Sequence, residues 1–399
     1  MTTTAELEGR SDWGAIAATT FAGIAVATLI GKMSAAIPLI REDLGTGLSL
    51  LGTLAALISL VAAVAGLFFG VAARRIGPRR AVTLGLLAAA LGSALGAGAG
   101  SVGLLLLLRG VEAAGFALVV AAGPALVQSR AAARDRALSL GIWGIWIPLG
   151  VAAILLVAAL GGAGLGWRGL YLVSAGILVL SALWVRVAVP PDAALSVPRF
   201  RFATLARRRL MLTIAAFAAF GGANMIMLAF LPTLLIDLAA LPLAWATAAA
   251  IVSSLLIMPG NVLGGWMIGR QIAAGPIILF SLVAMGLTSI MVLGEGWSIG
   301  ARIGAAAAFS LACGFAPGAI WGSIPALATV PDEAPVISGL LFQGAGLGQI
   351  LGPFIIGVVV EGAGAWQAGL SVMLAFVGVG VITALALMRG GGDEAAHGP

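Results

Sequence analysis

Long uncharged apolar runs alternate along the chain with short breaks made of charges, glycine clusters or proline. A membrane span needs about 20 predominantly apolar residues, and the runs meet that length. The pattern predicts twelve helices, over 14–38, 48–71, 80–99, 102–127, 137–160, 168–189, 210–236, 244–268, 274–294, 299–328, 335–361 and 366–388. Ala81 to Leu108 is uncharged and too long for one span; Gly96-Ala97-Gly98-Ala99-Gly100-Ser101 divides it into a hairpin. Pro38 is expected to end the first helix, and Pro232 lies near the end of the seventh. The resulting order is a tail (1–13), six helices (14–189), a basic linker (190–209), six helices (210–388) and a second tail (389–399).

Composition turns the pattern into a fold class. Of 399 residues, 61% are hydrophobic and 9% charged, and the mean hydropathy is +1.15. Soluble domains carry about 25% charged residues, so this chain lacks the polar surface to coat a globule. The expected class is an all-α membrane protein of two six-helix bundles. The single Cys (Cys313) and single His (His397, in the tail) exclude an internal disulfide and a Cys/His metal site. They also leave no plausible nucleophile–histidine pair, so no enzyme is expected. Gly31-Lys32 is followed by Met33 inside a span, so there is no phosphate-binding loop. No cofactor is implied.

Twenty of the 21 basic residues are Arg, and their placement suggests orientation rather than nucleic-acid binding. With the N-terminus in the cytoplasm, inner segments hold sixteen Arg and outer segments only Arg41, Arg168 and Arg302. The positive-inside bias then puts both termini in the cytoplasm, in the plasma (inner) membrane. The polar segment Met1 to Asp12 has no signal-peptide layout.

The two bundles look duplicated. Pro38 and Pro232 are 194 positions apart; Arg75 and Arg270, with Gly70 and Gly265 before them, are 195 apart. Arg109 with Pro124 matches Arg302 with Pro317 at 193, and Trp167 matches Trp366 at 199. Parallel six-helix repeats are a transporter architecture. Over its whole length the chain resembles the major facilitator superfamily. The connection between the second and third helices, Gly70-Val71-Ala72-Ala73-Arg74-Arg75-Ile76-Gly77-Pro78-Arg79-Arg80, keeps the family's Gly, second Arg and turn Gly. Arg74 stands where the family has an Asp that helps latch the cytoplasmic ends, so that latch is altered. Arg109-Gly110-Val111-Glu112 resembles the family's segment in the fourth helix, while the Gly-Pro antiporter motif of the fifth is absent. Gly31-Lys32-Met33 with Ile37-Pro38, Trp143 to Gly150, and Gly339-Leu340-Leu341-Phe342-Gln343 resemble the cyanate/nitroimidazole-type permease branch.

Intramembrane charges cost at least about 2.5–3.5 kcal/mol each, which makes them functional candidates. Lys32, Arg109 and Glu112 qualify. At about 1.5 Å per residue, Lys32 and Arg109 lie about 9–10 Å from the outer helix ends and Glu112 about 15 Å. The resemblance puts helices one and four beside a central cavity. Glu112 would neutralise Arg109, leaving Lys32 to hold a small monoanion such as a carboxylate, with Arg109 adding a bidentate grip and Glu112 coupling the proton. Alternatively, Lys32 snorkels outward and Arg109–Glu112 merely braces two helices. Arg302 joins the cavity or lies at the outer surface. Trp13, Trp184 and Trp266 form an inner belt and Trp167, Trp245, Trp297 and Trp366 an outer one. Trp143, Trp146 and Trp321 remain inside spans and either wall a pocket or fill the core. Asn224 and Gln343 complete the substrate candidates.

Gly344, Gly348 and Gly352 repeat every four residues in the eleventh helix, as do Gly66 and Gly70 in the second. Such faces allow close helix approach. By resemblance these two helices meet across the bundles, so Gly70, Arg74, Arg75, Gly77, Gly344 and Gly348 are candidates for conformational roles. The expected function is a monomeric, proton-coupled symporter of a small organic anion, working by alternating access in a lipid bilayer. An exporter of amphipathic or toxic compounds and a non-transporting receptor are the rivals.

Overall fold

The computed structural model describes residues 10–45, 48–191, 207–330 and 333–396. Most of the expected linker, the first nine residues and His397 lie outside the described residues. Among the described residues the regular structure is all helix, and twelve segments are long and apolar enough to span a membrane. Two compact units are present. The first comprises Met1–Ser139, Ile145–Arg199 and Ala328–Gln343; the second comprises Leu140–Gly144, Phe200–Leu327 and Gly344–Pro399.

The first unit opens with α1 (Trp13–Leu44), capped by the Asp12 carboxylate, which accepts the Ala15 N–H at 3.0 Å. Pro38 does not end α1, contrary to expectation. A proline removes only one N–H of the helix ladder, and packed membrane helices absorb that loss; the helix ends at Gly45, whose N–H returns to the Arg41 carbonyl. Next come α2 (Leu48–Ile76), α3 (Pro78–Ala97) and α4 (Val102–Arg130), then α5 (Arg136–Trp143), whose residues from Leu140 onward belong to the second unit. The glycine cluster after Gly96 does break the chain between α3 and α4, as read from sequence. The turn between α2 and α3 is made by Gly77 at φ +97, where a side chain would be strained, and by Pro78 at the first helical position of α3.

The helical run α6 (Trp146–Ala188) is too long for one span. Its first part runs parallel to α1: Gly150 abuts Ile24 and Ala27, and Ile154 abuts Gly31. Its second part runs antiparallel: Trp167 meets Asp43, Tyr171 meets Met33 and Trp184 meets Phe21. The chain therefore reverses within the run, where Gly166 is left-handed at φ +57. Spans 133–158 and 164–188 result. The expected single helix over 137–160 is broken at residues 144–145, between Trp143 and Trp146.

The second unit contains α7 (Arg208–Ala239), α8 (Leu243–Gly269), α9 (Ala274–Leu293), α10 (Ile299–Gly322) and the short α11 (Ile324–Leu327). It also holds most of α12 (Ala334–Ala363) and all of α13 (Gly369–Ala396). The expected helix over 299–328 stops at Gly322. Between α8 and α10 the backbones nearly touch: Gly260 faces the Leu311 carbonyl, Gly264 that of Phe315 and Gly318 that of Asn261. In lipid there is no hydrophobic force between helices, so such small-residue contacts carry the packing.

Candidate functional site: a buried charge cluster in the first unit

Lys32 sits on α1 with no solvent exposure, Glu112 on α4 likewise, and Arg109 is 1% exposed. The two α4 residues are three apart and share a face. Their side chains converge. Arg109 Nη1 donates to Glu112 Oε2 at 2.7 Å, and the Lys32 ammonium donates to Glu112 Oε1. The expectation that Glu112 serves Arg109 alone is thus corrected: one carboxylate bridges two cations. Nor does Lys32 snorkel outward, because the carboxylate and its buried neighbours hold it inside.

Two further residues complete the cluster, and sequence reasoning missed both. Lys32 Nζ donates to Ser93 Oγ on α3 at 2.7 Å, and Ser93 passes its own proton to the Tyr171 carbonyl at 2.9 Å. The Tyr171 ring lies under the ammonium, 3.6 Å to its centroid, in a cation–π contact. Tyr171 is the sole tyrosine of the chain and follows the belt residue Trp167 by one helical turn, a signal that was available. Its hydroxyl donates to Met33 Sδ at 3.4 Å. Gly92 lets α3 approach: a methyl there would press on the Leu108 carbonyl at 2.9 Å and Glu112 Cγ at 3.0 Å.

Each guanidinium nitrogen has a partner. Arg109 Nε donates to the Leu54 carbonyl of α2 at 3.2 Å and Nη2 to the Leu29 carbonyl of α1 at 2.9 Å. Three of its five N–H donors are used inside the unit, so a grip on a solute would use the remaining N–H of each terminal nitrogen or displace these partners. Its present role is to fix Glu112 against α1 and α2. The cluster is closed off by Met33, Leu54, Ile154 and Tyr171, which belong to one buried apolar group. Two positive charges and one negative charge share this interior.

The other candidates are dispersed. Trp143 and Trp146, read as pocket walls or as core, lie on either side of the break between α5 and α6: Trp146 joins Phe116 (5.5 Å) and Phe342 (6.3 Å) in the first unit, and Trp143 is buried in the second. Gln343 accepts the Leu67 N–H at 3.2 Å and packs on Gly66, tying α12 to α2. Arg302 is neither in a cavity nor free at the outer surface. It caps α9, donating Nη1 to the Val292 carbonyl and Nη2 to the Gly294 carbonyl at 2.7 Å. Trp321 packs edge-on to Phe217 at 5.6 Å.

Asn224 does line a cavity, with Ser253, Ser254, Ser310, Phe309 and apolar residues of α7 and α8, and it accepts the Cys313 thiol proton at 3.1 Å. The space admitting solvent is about 10 Å³, room for a single water. At the other end of α2, Arg74 is buried and Arg75 exposed, both in the last turn, where basic residues complement the helix dipole. Gly66 and Gly70 do face the early part of α12, through Gly339 and Pro335, within the first unit. Gly344 and Gly348 lie in the second unit. They abut Ile214 and Ala218 of α7, so their small size serves packing inside the second unit.

Against this geometry stand the comparisons with known proteins. A family model described as Major Facilitator Superfamily matches residues 16–342. The E. coli fucose:proton symporter FucP superposes with a TM-score of 0.75 at 17% identity, covering 95% of this chain and 99% of that one. FucP in an outward conformation gives 0.74 at 14% identity, covering 93% and 98%. The proton:xylose symporter XylE, bound to 6-bromo-6-deoxy-D-glucose, gives 0.77 at 14% identity, with 96% of each chain covered. No curated protein matches.

Proposed function

The chain belongs to the major facilitator superfamily, and from that premise we propose that it is a secondary active transporter that carries a small organic monoanion together with a proton by alternating access. The carrying observation is the charge count of the buried cluster, Lys32 and Arg109 against Glu112 alone. An uncompensated charge in an apolar interior costs several kcal/mol, and a monoanion supplies the missing compensation. The resemblance of Gly31-Lys32-Met33 to the cyanate/nitroimidazole-type branch agrees with a small anion. The solved neighbours of the same fold are described as proton symporters, which agrees with proton coupling. The excess of Arg at predicted inner connections favours an inner-membrane protein with cytoplasmic termini.

A second reading has its own observation. The solved neighbours are described as a fucose:proton and a proton:xylose symporter, which favours a neutral hydroxylated solute. Thermal melting of the purified protein against small carboxylates, inorganic anions and neutral sugars separates the two, because bound ligand stabilises by mass action. Stabilisation by carboxylates, followed by their uptake into proteoliposomes, supports the anion. Stabilisation by sugars alone rejects it.

A further inference from the structure

The proposed coupling needs a group that gains and loses a proton, and the carboxylate Glu112 is the expected choice. The charge count argues otherwise. With Lys32 as ammonium, Arg109 as guanidinium and Glu112 as carboxylate, the cluster carries one net positive charge. Protonating Glu112 raises that to two. Arg109 does not deprotonate in proteins. Removing one proton from Lys32 brings the cluster to zero and leaves the Arg109–Glu112 pair intact.

The hydrogen bonds point to the same proton. Lys32 Nζ has two acceptors, Glu112 Oε1 and Ser93 Oγ. Its third contact is the face of Tyr171, which offers attraction to a cation but no lone pair. A neutral amine has two N–H donors and satisfies both acceptors; the ammonium has a third donor, which meets only the ring face of Tyr171. The charged and titratable groups that face Lys32 are Glu112 and Arg109 from α4 and Tyr171 from α6, with the Ser93 hydroxyl from α3; α2 contributes only the Leu54 carbonyl, which is bound to Arg109. The Tyr171 hydroxyl keeps its proton on Met33.

We propose that Lys32, not Glu112, carries the coupling proton, so that the carrier crosses in two neutral forms. The loaded form holds the Lys32 ammonium, the Arg109–Glu112 pair and one monoanion. The empty form holds the Lys32 amine and the same pair, its proton having passed to water with the departing anion. One proton moves with each monoanion, and the cycle is electroneutral. This rests on the proposed anion–proton transport but is tested apart from it.

Lys32 is the only lysine of the chain, so protein grown on lysine labelled with carbon-13 at Cε gives one side-chain signal, identified by its loss in Lys32→Arg. The full chain in detergent is titrated over the pH range in which it stays folded. The signal is expected to move from the ammonium to the amine position within that range. A signal that stays at the ammonium position until the protein unfolds overturns the proposal. Sodium formate, added at fixed pH, should return the signal toward the ammonium position. Titration without any effect of formate supports Lys32 as the proton carrier and counts against the anion instead.

Discussion

The indole of Trp366 donates its N–H to the Asp237 carboxylate at 2.8 Å, tying the start of the last span to the end of α7. The first unit repeats the bond: Trp167 donates to Asp43 at 3.0 Å, at the end of α1. Each bundle thus fastens its first helix to its sixth through an acid and an indole near the membrane border. The two copies differ in one respect, since Asp43 also receives the Arg168 guanidinium at 2.5 Å.

That difference predicts an acid sensitivity. The hydrogen bonds from Arg168 and then Trp167 hold the Asp43 carboxyl below the usual carboxylate range. Its folded value lies under the unfolded value of about 4. The contribution is therefore complete above pH of about 4 and is lost as pH falls through the folded value. Asp43→Asn should melt earlier than the wild type at neutral pH, and the difference should shrink below pH of about 4. Melting curves across that window check it; a constant difference at all pH values would refute the assignment to Asp43 ionisation.

Charge balance in the cluster predicts an order of damage. Lys32→Met leaves Arg109 paired with Glu112, a neutral remainder. Glu112→Gln leaves two buried cations with no anion. Breaking a buried pair from one side costs about 3–5 kcal/mol, so Glu112→Gln should fold poorly or melt far below the wild type. Lys32→Met should stay folded, with a much smaller fall in melting temperature. Equal losses for the two variants would show that shape, not charge, sets the stability of this interior.

Close backbone approach makes a third prediction, with its control built in. A methyl at Gly339 collides with the Gly66 carbonyl, and one at Gly348 with that of Ala218. Both contacts are backbone and cannot swing away. Overpacking of this kind costs about 1–3 kcal/mol. Gly110 and Gly357 are helical too, yet nothing lies within 4 Å of an added methyl. Alanine there should be neutral or stabilising by up to about 1 kcal/mol, the helix-propensity gain. Melting temperatures of the four variants test the contrast directly.

These positions also show how far the residues themselves reveal the structure. Hydrophobic run length located twelve spans because lipid demands it. It misplaced the end of α1, since Pro38 looks like a terminator while membrane helices tolerate proline. Lys32, Arg109 and Glu112 were conspicuous as intramembrane charges. Spacing put Arg109 and Glu112 on one face, but nothing local indicated that Lys32 shares the same carboxylate. Ser93 was invisible because its role depends on α3 approaching α1, and Tyr171 stood out only as the sole tyrosine, since its place under Lys32 depends on α6 approaching α1. For Trp143 and Trp146 the helical spacing presumed a continuous helix, which the break between α5 and α6 interrupts.

Arg302 offers the sharpest separation of support from transport. The repeat matched it with Arg109, and the parallel holds in kind: each guanidinium donates to two main-chain carbonyls of neighbouring segments. The last carbonyls of a helix lack partners inside it, and the arginine fork reaches both Val292 and Gly294 at the end of α9. A hydrogen bond from a charged donor is worth about 1.5–3 kcal/mol, so Arg302→Met should lower stability by about 2 kcal/mol or more. Lysine is a point donor without the fork, and Arg302→Lys should recover only part of that. Because both its terminal nitrogens are bonded to the backbone, neither variant should change the concentration of solute needed for half-maximal stabilisation. A ligand titration by thermal melting reads both quantities at once. A right shift of the titration with unchanged baseline stability would return Arg302 to the binding site and end its role as a cap.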